Sequence, residues 1–150
     1  MPQSLSNILL HLTFSTKERR LMLPYEPLPA LHRYAAGIFK DQKCHMIEMN
    51  NVSDHVHILF ELHRTASVAN VVMHVKKGTS RHLKELSPEY ADFDWQEGYG
   101  IFSLGASQRD ATKTYLRGQQ EHHRKRKFPE EFRELLAKYD IEYDERYVWG

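Results

Sequence analysis

The sequence predicts an α+β fold of the ferredoxin-like kind, an antiparallel sheet with helices on one face and further helices after it. Three observations carry this: a β-α-β-β-α-β order of periodic segments, apolar period two in the extended pieces, and apolar spacing of three and four between them. Leu10, Leu12 and Phe14 alternate with Leu9, His11 and Thr13, which predicts a half-buried first strand. After the proline-rich stretch Pro24 to Pro29, Leu31, Tyr34, Ala35, Ile38 and Phe39 predict an amphipathic helix. Lys43 to Asn50 and His55 to Leu62 read as a hairpin around Asn50-Asn51-Val52-Ser53-Asp54, whose Asn and Asp residues tolerate turn backbone angles. Ser67 is placed to cap a second helix that presents Val68, Val71, Val72 and Val75, runs past Gly78 towards Leu83 and Leu86, and stops before Pro88.

The aromatic and glycine-rich segment Phe93 to Leu104 predicts a short extended piece and a fourth strand. Ser107 to Asp110 fits an S-x-x-D capping box, predicting a third helix from near Gln108 to about His123. Pro129 opens a last helix with Phe132, Leu135, Leu136 and Tyr139 on one face. With both main helices on one side, the opposite sheet face is expected to be free for a ligand.

Composition narrows the class. The chain has 150 residues, 41% hydrophobic and 27% charged, which fits one folded domain over 1–150 and neither a disordered nor a fibrous chain. No run approaches a membrane span, and the start lacks the basic region and small-residue cleavage site of an export signal, so a cytoplasmic location is expected. The single cysteine, Cys44, excludes an internal disulfide, and no CxxC pair suggests a zinc ribbon. Charge is segregated: residues 1–127 hold 18 Lys/Arg against 13 Asp/Glu, while 128–150 hold 3 against 7. The run Arg124-Lys125-Arg126-Lys127 is the sharpest basic cluster, either a contact for phosphates or simply a solvated face.

The strongest local signal is Asp54-His55-Val56-His57-Ile58-Leu59-Phe60. Side chains alternate along a strand, so His55 and His57 share one face and Val56, Ile58 and Phe60 the other. Two imidazoles whose Cα atoms are roughly 7 Å apart can converge on one metal ion. Two unrelated surface histidines remain the alternative. On the third helix Tyr115 and Gln119 are four apart and lie one above the other. A tyrosine, with a free pKa of ~10, attacks only an electrophile activated by a cation, so a metal beside it gives this pair a chemical purpose; a core tyrosine and a solvated glutamine are the alternative.

H-hydrophobic-H on a strand followed by Y-x-x-x-Q on a helix resembles the single-tyrosine HUH transposases of bacterial insertion sequences, including those associated with repeated palindromes. The stretches LLHLTFSTKERR, FDWQEGYGIFSLGASQ, YLRGQQEHH and YDIEYDERYVW are similar to that family too. The resemblance implies His55, His57 and Gln119 as ligands of Mg²⁺ or Mn²⁺, and Tyr115 as a nucleophile that cleaves and rejoins single-stranded DNA through a 5′-phosphotyrosine. It implies single-stranded DNA with hairpin ends as substrate and a homodimer in which the tyrosine helix can dock on the partner. His122, seven residues after Tyr115, is a second candidate ligand, and no general base is assigned. A noncatalytic RNA- or DNA-binding module is the alternative, because Gly98-Tyr99-Gly100 resembles the centre of an RNA-recognition motif, although on the wrong strand.

Overall fold

A computed structural model describes residues 2–150. Strands β1 (Leu9–Ser15), β2 (His45–Asn51), β3 (His55–Glu61) and β4 (Gly100–Leu104) form one sheet in the order β2-β3-β1-β4, antiparallel throughout. Helices α1 (Pro29–Asp41) and α2 (Val68–Leu86) connect them, and α3 (Arg109–Arg117), α4 (Gln119–Lys125) and α5 (Phe128–Lys138) follow. The ferredoxin-like expectation is met in element order and in the antiparallel sheet.

Alternation decides what each sheet face carries. Leu10, Leu12, Phe14, Val56, Ile58 and Phe60 face α1 and α2 and form the larger apolar core with Leu31, Phe39, Val72 and Leu83. Where α1 meets α2, a Cβ at Gly78 would lie 2.5 Å from Ile38 Cδ1, so the glycine inside the long helix permits close approach. Ser67 caps α2 as expected, accepting from the Asn70 N–H at 3.1 Å, and the helix ends at Leu86 before Pro88.

Four expectations need correction. The second sheet face is not free: α5 lays Phe128, Phe132 and Leu136 against Phe102 of β4, and all seven residues of β1 are buried on both faces. The third helix is broken at Gly118 into α3 and α4, where glycine supplies little helix propensity. Ser107 does not cap it; Gln108 folds back instead, its Oε1 accepting from the Gly105 N–H at 2.9 Å. The hairpin turn is shorter than expected because β2 extends to Asn51, with a bulge between Met46 and Glu48. Asn51 serves as a bracket rather than a turn residue, its Oδ1 accepting from the Leu28 N–H at 2.8 Å and its Nδ2 donating to the Pro24 carbonyl at 3.0 Å.

Gly100, expected as part of an RNA-recognition-like segment, has a packing role. It pairs with Thr13 in the ladder, and a Cβ there would lie 2.4 Å from Phe132 Cε1. The absent side chain lets α5 reach the sheet and cover Phe102, which is buried beneath it. Gly100→Ala should therefore destabilise the protein by about 1–3 kcal/mol and displace α5. Thermal unfolding followed by circular dichroism tests this; an unchanged midpoint would mean that α5 does not depend on this contact.

Candidate active site

His55 lies opposite Ser15, and His57 opposite Thr13, on β1. These small neighbours leave room for both rings under α4 and α5. His55 and His57 are 1% and 0% exposed, so they are interior groups rather than the open-face pair expected. Each ring has a partner at both nitrogens. His55 Nδ1 lies 2.8 Å from Asp54 Oδ1, and its Nε2 lies 3.4 Å from Gln119 Oε1 and 3.3 Å from Glu131 Oε1. His57 Nε2 lies 2.6 Å from Glu131 Oε1, and its Nδ1 lies 2.7 Å from His11 Nε2.

The other two predicted residues come to the same place. The Tyr115 hydroxyl donates to Glu131 Oε2 at 2.6 Å, and Gln119 Nε2 donates to the same oxygen at 3.3 Å. Both are set by the docking of α3 and α4 on β2. Asn50 Nδ2 donates to the Leu116 carbonyl at 2.7 Å and to Gln120 Oε1 at 2.9 Å, while Gln120 Nε2 returns a bond to Asn50 Oδ1 at 3.0 Å and another to the Asn51 carbonyl at 2.8 Å. Neutral amide pairs of this kind contribute about 0.5–1.5 kcal/mol each while fixing orientation. Tyr115 thus meets Glu131, and through it the histidines, within its own chain.

Glu131 and His11 were missed from sequence. His122 does not join the ligand groups; its ring lies on Tyr115 at a centroid distance of 5.0 Å. The basic run lies at the end of α4 and in the link to α5. Arg126 pairs with Glu134 and Arg124 with Glu121, while Lys125 and Lys127 are exposed. A cleft of about 420 Å³ opens beside Tyr115, bordered by His11, Thr112, Arg126, Lys138 and Tyr139.

Electrostatics centre on Glu131. Burial alone would raise its carboxyl, but interaction with His57 and hydrogen bonds from both histidines outweigh this and hold it well below the usual carboxylate range. Burial opposes charge on His55, yet its bonds to Asp54 and Glu131 push the imidazole up to about 9. His57 is pushed down by burial, despite Glu131, and further by His55 and His122. His11 is pushed down to about 3, mainly by burial and then by His57, and is neutral. Burial, then the charge and hydrogen bond of Glu131, push the Tyr115 hydroxyl well above its ordinary value.

A ring nitrogen from each of His55 and His57 and a Glu131 carboxylate oxygen lie within 4.8 Å of one another. With the Gln119 amide oxygen beside them, two imidazoles and two oxygen donors make a set that suits a divalent ion.

The family described as "Transposase IS200 like" matches residues 4–119, most of the chain. The chain belongs to the IS200-like transposases. It is thus a single-tyrosine DNA transposase by family. Among solved structures, this transposase is similar to a protein of Deinococcus radiodurans R1 described as a candidate transposase, with a TM-score of 0.61 and 18% identity over 79% of this chain and 98% of that one. It is also similar to a REP-associated tyrosine transposase bound to a REP hairpin, with a TM-score of 0.57 and 13% identity over 82% of this chain and 72% of that one. At these identities the likeness concerns the fold. No curated protein sequence matches it. No helix among the described residues is long and apolar enough to cross a membrane.

Glu131→Ala should lower the pKa of the transposase's Tyr115, because the hydroxyl loses the nearest negative charge and part of its cover. Ultraviolet titration of the variant, with and without Tyr115→Phe, isolates that residue. A Tyr115 titration unchanged by the substitution would contradict the contact.

Proposed function

We propose that this transposase cleaves and rejoins single-stranded DNA through a covalent bond between Tyr115 and a 5′ phosphate. The observation that carries the reading is the convergence of the Tyr115 hydroxyl, the His55 and His57 imidazoles and the Gln119 amide on one buried point of a single chain. His55, His57, Gln119 and Glu131 would hold a Mg²⁺ or Mn²⁺ ion, which when bound supplies a Lewis acid for the scissile phosphate.

Tyr115 Oη forms a bond to phosphorus as the bond from phosphorus to the 3′ oxygen breaks. Glu131 Oε2, 2.6 Å from the hydroxyl, is the acceptor within reach of the phenolic proton. The departing 3′ oxygen takes a proton from water, leaving a 3′-OH on one side and a 5′-phosphotyrosine on the other. The ester formed resembles the ester broken, so a second 3′-OH can reverse the attack and join strands with no nucleotide cofactor. At rest, Glu131 keeps the tyrosine protonated, because a second negative charge beside the carboxylate is unfavourable.

The hairpin bound by the similar REP-associated transposase supports single-stranded DNA with hairpin ends as substrate. Arg124, Lys125, Arg126 and Lys127, at the end of the Gln119 helix and in the link after it, would contact its phosphates. The chain would act as one domain, in the cytoplasm. It would pair as a homodimer through an exposed sheet edge, the commonest closure of such a surface.

Tyr115→Phe should bind DNA but form no covalent adduct with a single-stranded oligonucleotide in Mn²⁺, and EDTA should abolish the adduct in the wild-type protein. Adduct in the variant would place the nucleophile elsewhere. If Tyr115 works beside the histidines of its own chain, as their contacts through Glu131 support, mixing His57→Ala with Tyr115→Phe should restore no cleavage even when subunits exchange; rescue would show that Tyr115 works across a dimer. Neutralising Lys125 and Lys127 should flatten the salt dependence of DNA binding by ~0.7 per lost contact, and an unchanged slope would return the run to a solvated face.

A further inference from the structure

The two histidines on β3 are held differently at the nitrogen that faces away from Glu131. His55 Nδ1 meets the Asp54 carboxylate at 2.8 Å, a partner that can only accept. His57 Nδ1 meets a second buried imidazole, His11 Nε2, at 2.7 Å, and has no other hydrogen-bond partner among the described residues. The register explains the meeting. His57 is directly opposite Thr13, whose small side chain turns away to donate to the Val56 carbonyl at 2.8 Å, so the His57 ring leans diagonally towards His11. His11 is opposite Leu59 on one side and Phe102 on the other, is 4% exposed, and borders the cleft beside Tyr115.

We infer that His11 is a positioning residue for His57, holding its Nδ1 and exchanging donor for acceptor when a divalent ion takes the place of the Glu131 contact at Nε2. This rests on the metal-binding reading above. With Nε2 of a neutral His57 donating to Glu131, its Nδ1 is a lone pair and accepts from the His11 Nε2–H. For His57 to offer Nε2 to an ion, its proton must sit on Nδ1, and that N–H needs an acceptor. His11 supplies one only in its other tautomer, with the proton on its own Nδ1. The exchange balances: His57 Nε2 releases a proton to water, the shared proton passes from His11 Nε2 to His57 Nδ1, and His11 Nδ1 takes one proton from water at the cleft. A carboxylate at this position, like Asp54 at His55, would fix one state; a neutral imidazole serves both, which accounts for a histidine at the centre of the sheet where an apolar residue would pack without polar cost.

Long-range proton–nitrogen spectra of the full-length protein with ¹⁵N-labelled histidine, recorded metal-free and with excess Mg²⁺, read the tautomers directly. The expected result is protonation of His57 at Nε2 and His11 at Nε2 without metal, and of both rings at Nδ1 with it. A His11 tautomer that does not change on metal binding would overturn the inference. Mn²⁺ affinity, read from the free-ion electron paramagnetic resonance signal and referred to folded protein, gives an independent arm. His11→Leu should weaken Mn²⁺ binding about 10–100-fold, and His11→Gln, whose amide can donate or accept, should recover most of it. A His11→Leu protein that binds Mn²⁺ like wild type would leave His11 a packing residue and the metal reading intact. No Mn²⁺ binding by the wild-type protein would remove the metal reading and this inference together.

Discussion

One buried carboxylate organises this molecule. Glu131 sits between two imidazoles of β3 and the hydroxyl of α3, and an isolated charge there would be strongly unfavourable. It is tolerated because every nearby donor is aimed at it: His57 and His55 at one oxygen, Tyr115 and Gln119 at the other. The consequence runs outward. Glu131 must arrive on α5, α5 must lie flat on the sheet, and Gly100 must lack a side chain for Phe132 to settle against it.

Function and fold share these contacts. The apolar half of β3, Val56, Ile58 and Phe60, anchors the strand in the core under α1 and α2, which leaves the opposite half available for chemistry. The Asn50–Gln120 amide pair fixes α3 and α4 on β2, so that Tyr115 and Gln119 reach the same point although the helix between them is broken at Gly118. A continuous helix would have placed them one above the other; the break redirects the chain while keeping both in reach. Lys76 plays a comparable part on the far side of the sheet, its ammonium donating to the carbonyls of Gln96, Glu97 and Gly98 and holding the loop that leads into β4.

The local periodicities made β1, the hairpin, α1 and α2 legible, because each reports a face that must be buried. The H-x-H alternation likewise placed both imidazoles on the face opposite the main core. Their burial was not legible, because it depends on how the last helix folds back, and nothing in β3 itself encodes that path. Glu131 does leave a signal in the sequence: Phe128, Glu131, Phe132, Leu135 and Leu136 fall on one stripe at helical spacing, so a carboxylate stands inside an apolar face. A charge in that position needs partners, and the histidines and tyrosine are the partners it finds. The role of His11 is not legible in the alternation of β1, since a strand buried on both faces erases the contrast between its two sides.

Peptide mapping of the covalent complex tests the central claim most directly. After the wild-type protein is incubated with a single-stranded oligonucleotide and Mn²⁺, nuclease and trypsin digestion should leave a nucleotide remnant on the peptide Thr114-Tyr115-Leu116-Arg117, with the phosphate on the tyrosine oxygen. A remnant on a peptide carrying another tyrosine, such as Tyr99 or Tyr90, would contradict the account.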